Sequence, residues 1–407
     1  MAQDAPKPDP PKATNTDPPA TAQTSSPYMF GDWNGERSKL ADSGVVFNFQ
    51  SVNDTLMTPQ GDSTNWSRVR GTLDIDFDRS EIVSGLKFHI TGLWQGGGNM
   101  GGYIGSIANP SSLVSANTFR LDSFWFEKSF LGQRVFVRLG QFAGQDSYGV
   151  QEYGGSYLLE PMGYALGNLF GSTFETFDPA STPAAEIRLV PSQHFYVKSA
   201  IFSGNRNPYG DDPIGLHFKF KDTPVIASET GVLFGQEGDS TRRNYPGSYK
   251  FGAVINPGPF PNLVTGVHST GNYLLYFMIN QAVYRAGAGS DRGLDVTFAY
   301  DWSPDDVARI NTQTTGGLRY RGLLPHREHD ALTFGIVYSH VSDVLNRFIV
   351  NAGLPMFGSE KALEVNYSIQ VKRWFTFQPV FQHYFDAGGN PQMRNSTVVG
   401  FRSSFNL

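Results

Sequence analysis

The 407-residue chain contains no cysteine. Disulfide frameworks, thiolate metal centres and thiol catalysis are thereby excluded. Long apolar runs are missing too: "NYLLYFMIN" at Asn272–Asn280 falls far short of the ~20 residues that a membrane-spanning helix needs. Charge is scarce, with Asp, Glu, Lys and Arg making up 17% of the chain against roughly 25% in soluble domains. The formal net charge is −5 and no basic run occurs, which argues against a nucleic-acid partner. No secretory leader is written; "MAQDAPKP" reads as a mature N-terminus with Met1 added in front.

Glycine (45 residues) and aromatics (14%) are plentiful, and from Gly44 onward the apolar residues recur with a period of two. In "SRVRGTLDIDFD" (Ser67–Asp78), Val69, Leu73, Ile75 and Phe77 share one face, with Arg68, Arg70, Thr72, Asp74, Asp76 and Asp78 on the other. "LKFHITGLW" (Leu86–Trp94) and "RVFVRLGQF" (Arg134–Phe142) repeat the pattern. Strands of this density predict a barrel or a sandwich. Turns such as "LGQ" (Leu131–Gln133) and "PSQ" (Pro191–Gln193) alternate with long loops at Gln95–Asn117, Ala143–Ser181, Ser203–Pro213 and Ser342–Ser359. Short turns at one rim and long loops at the other are the mark of outer-membrane barrels.

About seventeen segments alternate, but bacterial single-chain barrels carry an even number of strands. Demoting "IGLHFKF" (Ile214–Phe220) to a loop, or fusing it with its neighbour, leaves sixteen. The expected fold is therefore all-β: a transmembrane antiparallel β-barrel, wide enough for an aqueous channel. Residues 1–27, rich in Pro, Ala and Thr, form an extended tail without a core. Residues 28–407 form the barrel. It is introduced by a short helix at 32–43, with Asp32 as its N-cap and Gly44 as its stop.

Several stretches together, in order, resemble the carbohydrate-selective porins of the OprB type. They are "FGDWNGERSKLADSGV", "GLKFHITGLWQGGGN", "FRLDSFWFEKSFLGQRVFVRLGQFAGQDSYG", "PAAEIRLVPSQHFYVKSAIFSGNRNP", "RYRGLLPHREHDALTFGIVYSHVSD" and "FQPVFQHYFDAGGN". The resemblance runs from about Phe30 to Leu407. It implies a sixteen-stranded barrel in the Gram-negative outer membrane, trimeric or monomeric, through which sugars diffuse passively. Two departures stand out. Ser123 occupies a position where the family often has a carboxylate, although Glu127 remains, and Phe405 rather than the last residue is the terminal aromatic.

Sugars are recognised in water by aromatic faces against their C–H surfaces and by planar charged groups on vicinal hydroxyls. A pore needs such contacts weak and repeated. The candidate constriction residues are Arg68, Arg70, Asp74, Asp76, Glu127 and Arg138 on the wall, joined by Tyr148, Tyr153, Tyr157 and Phe170 from the loop at 143–178. Asp146, Glu152, Glu160 and Glu175 interleave with the aromatics of that loop, whose length beyond ~15 residues marks it as functional. Trp94, Tyr276, Tyr300, Tyr338, Trp374 and Tyr384 are expected at the membrane interfaces.

No cofactor and no metal is implied. "HREH" (His326–His329) lacks the i, i+4 spacing of a zinc helix, and "GGGNMGG" (Gly96–Gly102) lacks the lysine of a phosphate loop. No glycosidase pair of carboxylates stands apart from the rest, so a channel is favoured over an enzyme. The alternatives are a conduit for polysaccharide export, with the tail docking a periplasmic partner, and a general small-solute porin.

Overall fold

The computed structural model describes residues 26–79, 83–164, 179–235, 245–287 and 290–407. The proline-rich tail up to residue 25 lies outside them, as does the second half of the long loop, with Phe170, Phe174, Glu175 and Phe177.

Sixteen antiparallel strands close a barrel in up-and-down order. They begin with β1 (Val45–Met57), β2 (Ser63–Asp76), β3 (Leu86–Gly97), β4 (Thr118–Phe130), β5 (Val135–Phe142) and β6 (Thr182–Ser192). Next come β7 (Phe195–Phe202), β8 (Val225–Phe234), β9 (Gly247–Pro261), β10 (His268–Arg285) and β11 (Gly293–Trp302). The ring ends with β12 (Ile310–Arg321), β13 (Ala331–Val341), β14 (Ser359–Lys372), β15 (Phe375–Phe385) and β16 (Ser396–Asn406). β16 pairs with β1 from Gln50↔Asn406 to Met57↔Val399, so no edge remains.

Burial is inverted relative to a soluble protein. Glu364, Gln382 and Asn280 are fully buried inside, whereas Leu139, Phe251 and Ile255 are exposed on the outside. The period-two pattern therefore sets an apolar band toward lipid and a polar face toward the lumen. Among the described residues no helix is long and apolar enough to cross a membrane; the strands do so.

The segment Ile214–Phe220 is a loop, as its demotion required. β5 pairs with β4 only as far as Phe124↔Gln141, because the chain turns inward after Phe142. The segment covers the resulting gap: Ile214 C=O accepts from Leu121 N–H at 2.9 Å, and Phe218 packs on Phe124 with ring centroids 5.7 Å apart. The longest loops share one rim, opposite the termini. The turns are less lopsided than expected, however: residues 58–62 make a short connection on the long-loop rim, and residues 235–246 a longer one on the terminus rim.

The opening helix is shorter than expected. A 3₁₀ turn at Trp33–Gly35 precedes α1 (Glu36–Asp42), and Gly35 at φ 92° separates the two. Asp32 caps from a distance, accepting from Ser38 N–H at 3.0 Å. Gly44 ends the helix at φ 89°, where a Cβ would stand 2.4 Å from the Asp76 carbonyl oxygen. Arg37, 5% exposed, donates to Phe47 C=O (2.8 Å) and to Leu407 C=O (3.1 Å). Its guanidinium lies 3.2 Å from the centroid of the Tyr28 ring. The helix thus pins the first strand to the end of the last.

Candidate functional site

The long loop enters the barrel at Ala143 and runs along the inner wall. Its backbone N–H groups need acceptors there, and wall carboxylates supply them. Gly149 N–H donates to Glu229 on β8 (2.9 Å). Leu158 and Leu159 N–H donate to Glu364 on β14 (2.9 and 2.6 Å). Between these anchors Lys250 Nζ donates to Val150 C=O (3.0 Å), and the Arg319 guanidinium stacks on the Tyr153 ring at 4.2 Å.

Glu360 performs the same service for the loop after β3. It accepts from Ile107 and Ala108 N–H, both at 2.7 Å, and from Gly388 N–H at 2.7 Å. Asp54 accepts two hydrogen bonds from Arg402 (2.7 and 2.8 Å) and one from Ser111 Oγ (2.6 Å).

Apolar packing completes the attachment. Tyr157, Leu158, Leu159 and Met162 form one buried cluster with Leu56, Met100, Val337, Val380 and Val398. Two wall glycines make room for the Tyr157 ring: a Cβ on Gly317 would fall 2.4 Å from its hydroxyl oxygen, and one on Gly335 3.0 Å from its Cε1. The hydroxyl donates to Leu318 C=O at 3.2 Å. The β12–β16 side of the lumen is therefore filled, and a charged row runs along the wall from β2 to β8.

In that row Arg138 and Arg188 converge on Glu127, at 3.0 and 3.3 Å. Arg138 also lies 3.9 Å from Glu186, donates to Ser147 Oγ at 3.0 Å and covers Trp125 with its guanidinium 4.4 Å from the ring centroid. Lys198 pairs with Glu229 at 3.0 Å. Arg70 reaches Asp122 at 3.3 Å, and Asp74 accepts from His89 Nδ1 at 2.6 Å. The His89 ring in turn stacks on Trp125 at 4.7 Å.

Of the sequence-predicted residues, Glu127 and Arg138 are thus joined, and Tyr148 sits just above them on the loop. Tyr148 is fully buried, with Lys198 Nζ 4.8 Å from its ring centroid. Burial, reinforced by Glu186, pushes its phenol well above the ordinary range. Burial likewise pushes Tyr153 up to about 12. Arg68 is drawn toward the long-loop rim, donating to Gln95 Oε1 (2.7 Å) and Leu113 C=O (3.2 Å). Asp76 stands apart at the terminus rim, where its N–H donates to Gly44 C=O (2.7 Å). Tyr157 is a packing residue of the opposite wall.

Sequence reading does not single out Trp125, Arg188 or Lys198, nor the second ionic cluster in which Arg285 (2.5 Å) and Arg319 (2.7 Å) pair with Asp295. Parity carried a signal for Trp125, which shares the face of Ser123 and Glu127. The interface expectation is corrected for Tyr276 and Tyr384. Both are buried inside the barrel, whereas Trp94, Tyr300 and Tyr338 are exposed outside. The phenol of Tyr276 serves Glu229 as a hydrogen-bond donor at 2.7 Å.

A closed barrel of sixteen strands, apolar outside, polar inside and narrowed by inward loops, defines a water-filled outer-membrane pore. Comparison with known proteins gives the particular kind. The model of the carbohydrate-selective porin, OprB family matches residues 61–407, and the chain belongs to that family. Porin B of Pseudomonas aeruginosa is 22% identical to it, over 93% of this chain and 90% of that protein. The putative porin QuiX of Acinetobacter baylyi is 19% identical, over 93% of each.

Among solved structures, the high-pH structure of Pseudomonas putida OprB superimposes with a TM-score of 0.86 at 18% identity, covering 94% of this chain and 99% of that one. The low-pH structure of the same protein gives 0.62 at 15% identity, with the same coverage. These structural likenesses speak to the fold. Sugars are the solutes of this outer-membrane porin.

Proposed function

We propose that sugars cross along the charged row of β2–β8 and that the loop from Ala143 sets the bore. The observation that carries this reading is the matching of charge within the row. Arg138, Arg188 and Lys198 are offset by Glu127, Glu186 and Glu229 through ion pairs of 3.0–3.9 Å. Matched charges leave little long-range field to draw in ions, yet they offer many planar donors and acceptors to neutral hydroxyls. Each contact exchanges with water, so binding stays weak enough for release. The rim bearing the termini faces the periplasm, with the proline-rich tail projecting into it, and the long-loop rim faces outward. The pore acts by passive diffusion and has no catalytic step.

Sugar-induced block of ion current through single channels tests this. Arg138→Ala and Arg188→Ala should each weaken block by about tenfold, the loss of one charge-assisted hydrogen bond. Block unchanged in both variants would overturn the assignment.

A further inference from the structure

At the long-loop rim a cavity of about 570 Å³ opens between the loops that follow β3, β5, β11 and β15. That volume is in the range of small-molecule sites. Asn99, Ser106, Asn109, Glu160 and Arg309 supply its polar lining. Elsewhere inside this barrel, the carboxylates of Glu229, Glu360, Glu364 and Asp295 hold backbone N–H groups or ion pairs. Here the pattern breaks. Among the described residues, neither the Glu160 carboxylate nor the Arg309 guanidinium has a hydrogen bond or an ion pair. Ser106 Oγ is shielded from water and also lacks a partner among the described residues.

The walls of the cavity are nonetheless fixed. Asn99 accepts from Gly102 N–H at 3.3 Å, and Asn109 C=O accepts from Glu160 N–H at 3.0 Å. Glu360 clamps Ile107, Ala108 and Gly388 at 2.7 Å each. A held cavity with one spare carboxylate, one spare guanidinium and a spare hydroxyl is formally neutral and rich in hydrogen bonds. These groups suit a neutral polyol, whose vicinal hydroxyls can donate to the carboxylate and accept from the guanidinium.

We propose that this cavity is an entry site for a neutral sugar at the long-loop rim, separate from the row around Arg138. The proposal rests on the reading of the chain as a sugar pore. Burial pushes the Glu160 carboxyl up to about 7, because desolvation disfavours its charged form.

Single-channel recording with one neutral sugar, glucose, added to one side at a time tests it on Glu160→Gln and Arg309→Gln. Entry from the long-loop side should slow by about tenfold, the worth of one charge-assisted hydrogen bond. Entry from the terminus side and the equilibrium affinity of block should keep their wild-type values. Equal slowing from both sides, or entry at the wild-type rate in both variants, would overturn the entry site. In Arg138→Ala, block should weaken from both sides alike. Absence of block in the wild-type channel would instead overturn the sugar-pore reading itself, so the two failures are distinct.

Discussion

Replacing Glu364 by Gln probes how the loop is held inside the barrel. The two carboxylate oxygens accept from Leu158 and Leu159 N–H at 2.9 and 2.6 Å. Glutamine offers one carbonyl oxygen, so one of these amides loses its acceptor and faces an NH₂ group. An orphaned buried amide costs about 1–3 kcal/mol. The segment still buries Tyr157, Leu158, Leu159 and Met162, each worth ~1.5–3 kcal/mol. The loop therefore stays in place, but its released population rises by roughly 5- to 150-fold, at tenfold per 1.4 kcal/mol. Single-channel recording should show brief excursions to higher conductance that the wild type rarely makes. The docked state loses the same free energy against the unfolded chain, so the barrel's unfolding temperature should fall by only about 1–4 °C. A variant as quiet as the wild type would refute the tether.

Two further outcomes follow from the same geometry. Arg37→Ala removes the donor shared by Phe47 and Leu407 and should cost the barrel about 3–6 kcal/mol for two charge-assisted hydrogen bonds, read as a lower unfolding temperature in detergent; an unchanged temperature would refute the seam clamp. The carboxyl of Glu160, raised from 4.5 to about 7, keeps its proton in the folded chain over a pH range in which the unfolded chain has released it. Its contribution to stability is therefore fully present below about 4.5 and lost as pH rises to about 7. Melting temperatures of the wild type should accordingly fall relative to Glu160→Gln across that window, and parallel curves would contradict the burial of this group.

Much of this was legible in the sequence because a barrel writes its two faces into alternate residues. Val69 and Arg70 went to opposite sides as their parity required, and Ile214–Phe220 betrayed itself by breaking the even count. The tethers were not legible. Glu229, Glu360 and Glu364 look like any lumen charge, and their partners are backbone amides 28 to 253 residues away along the chain, including Gly388, Gly149, Ala108 and Ile107. Tyr276 and Tyr384 were misread because an amphipathic aromatic near a strand end suits a membrane interface, whereas these two fill space beside inward loops. Arg37 read as one position on a helix face. Its role depends on the chain end, 370 residues later.

The central claim is that a charge-matched, loop-narrowed lumen favours neutral sugars over ions of the same size. Swelling of liposomes that hold the wild-type porin measures this directly. Monosaccharides should enter faster than equal-sized charged solutes, and disaccharides more slowly but still measurably. Swelling ranked by solute size alone, with charge making no difference, would contradict the account.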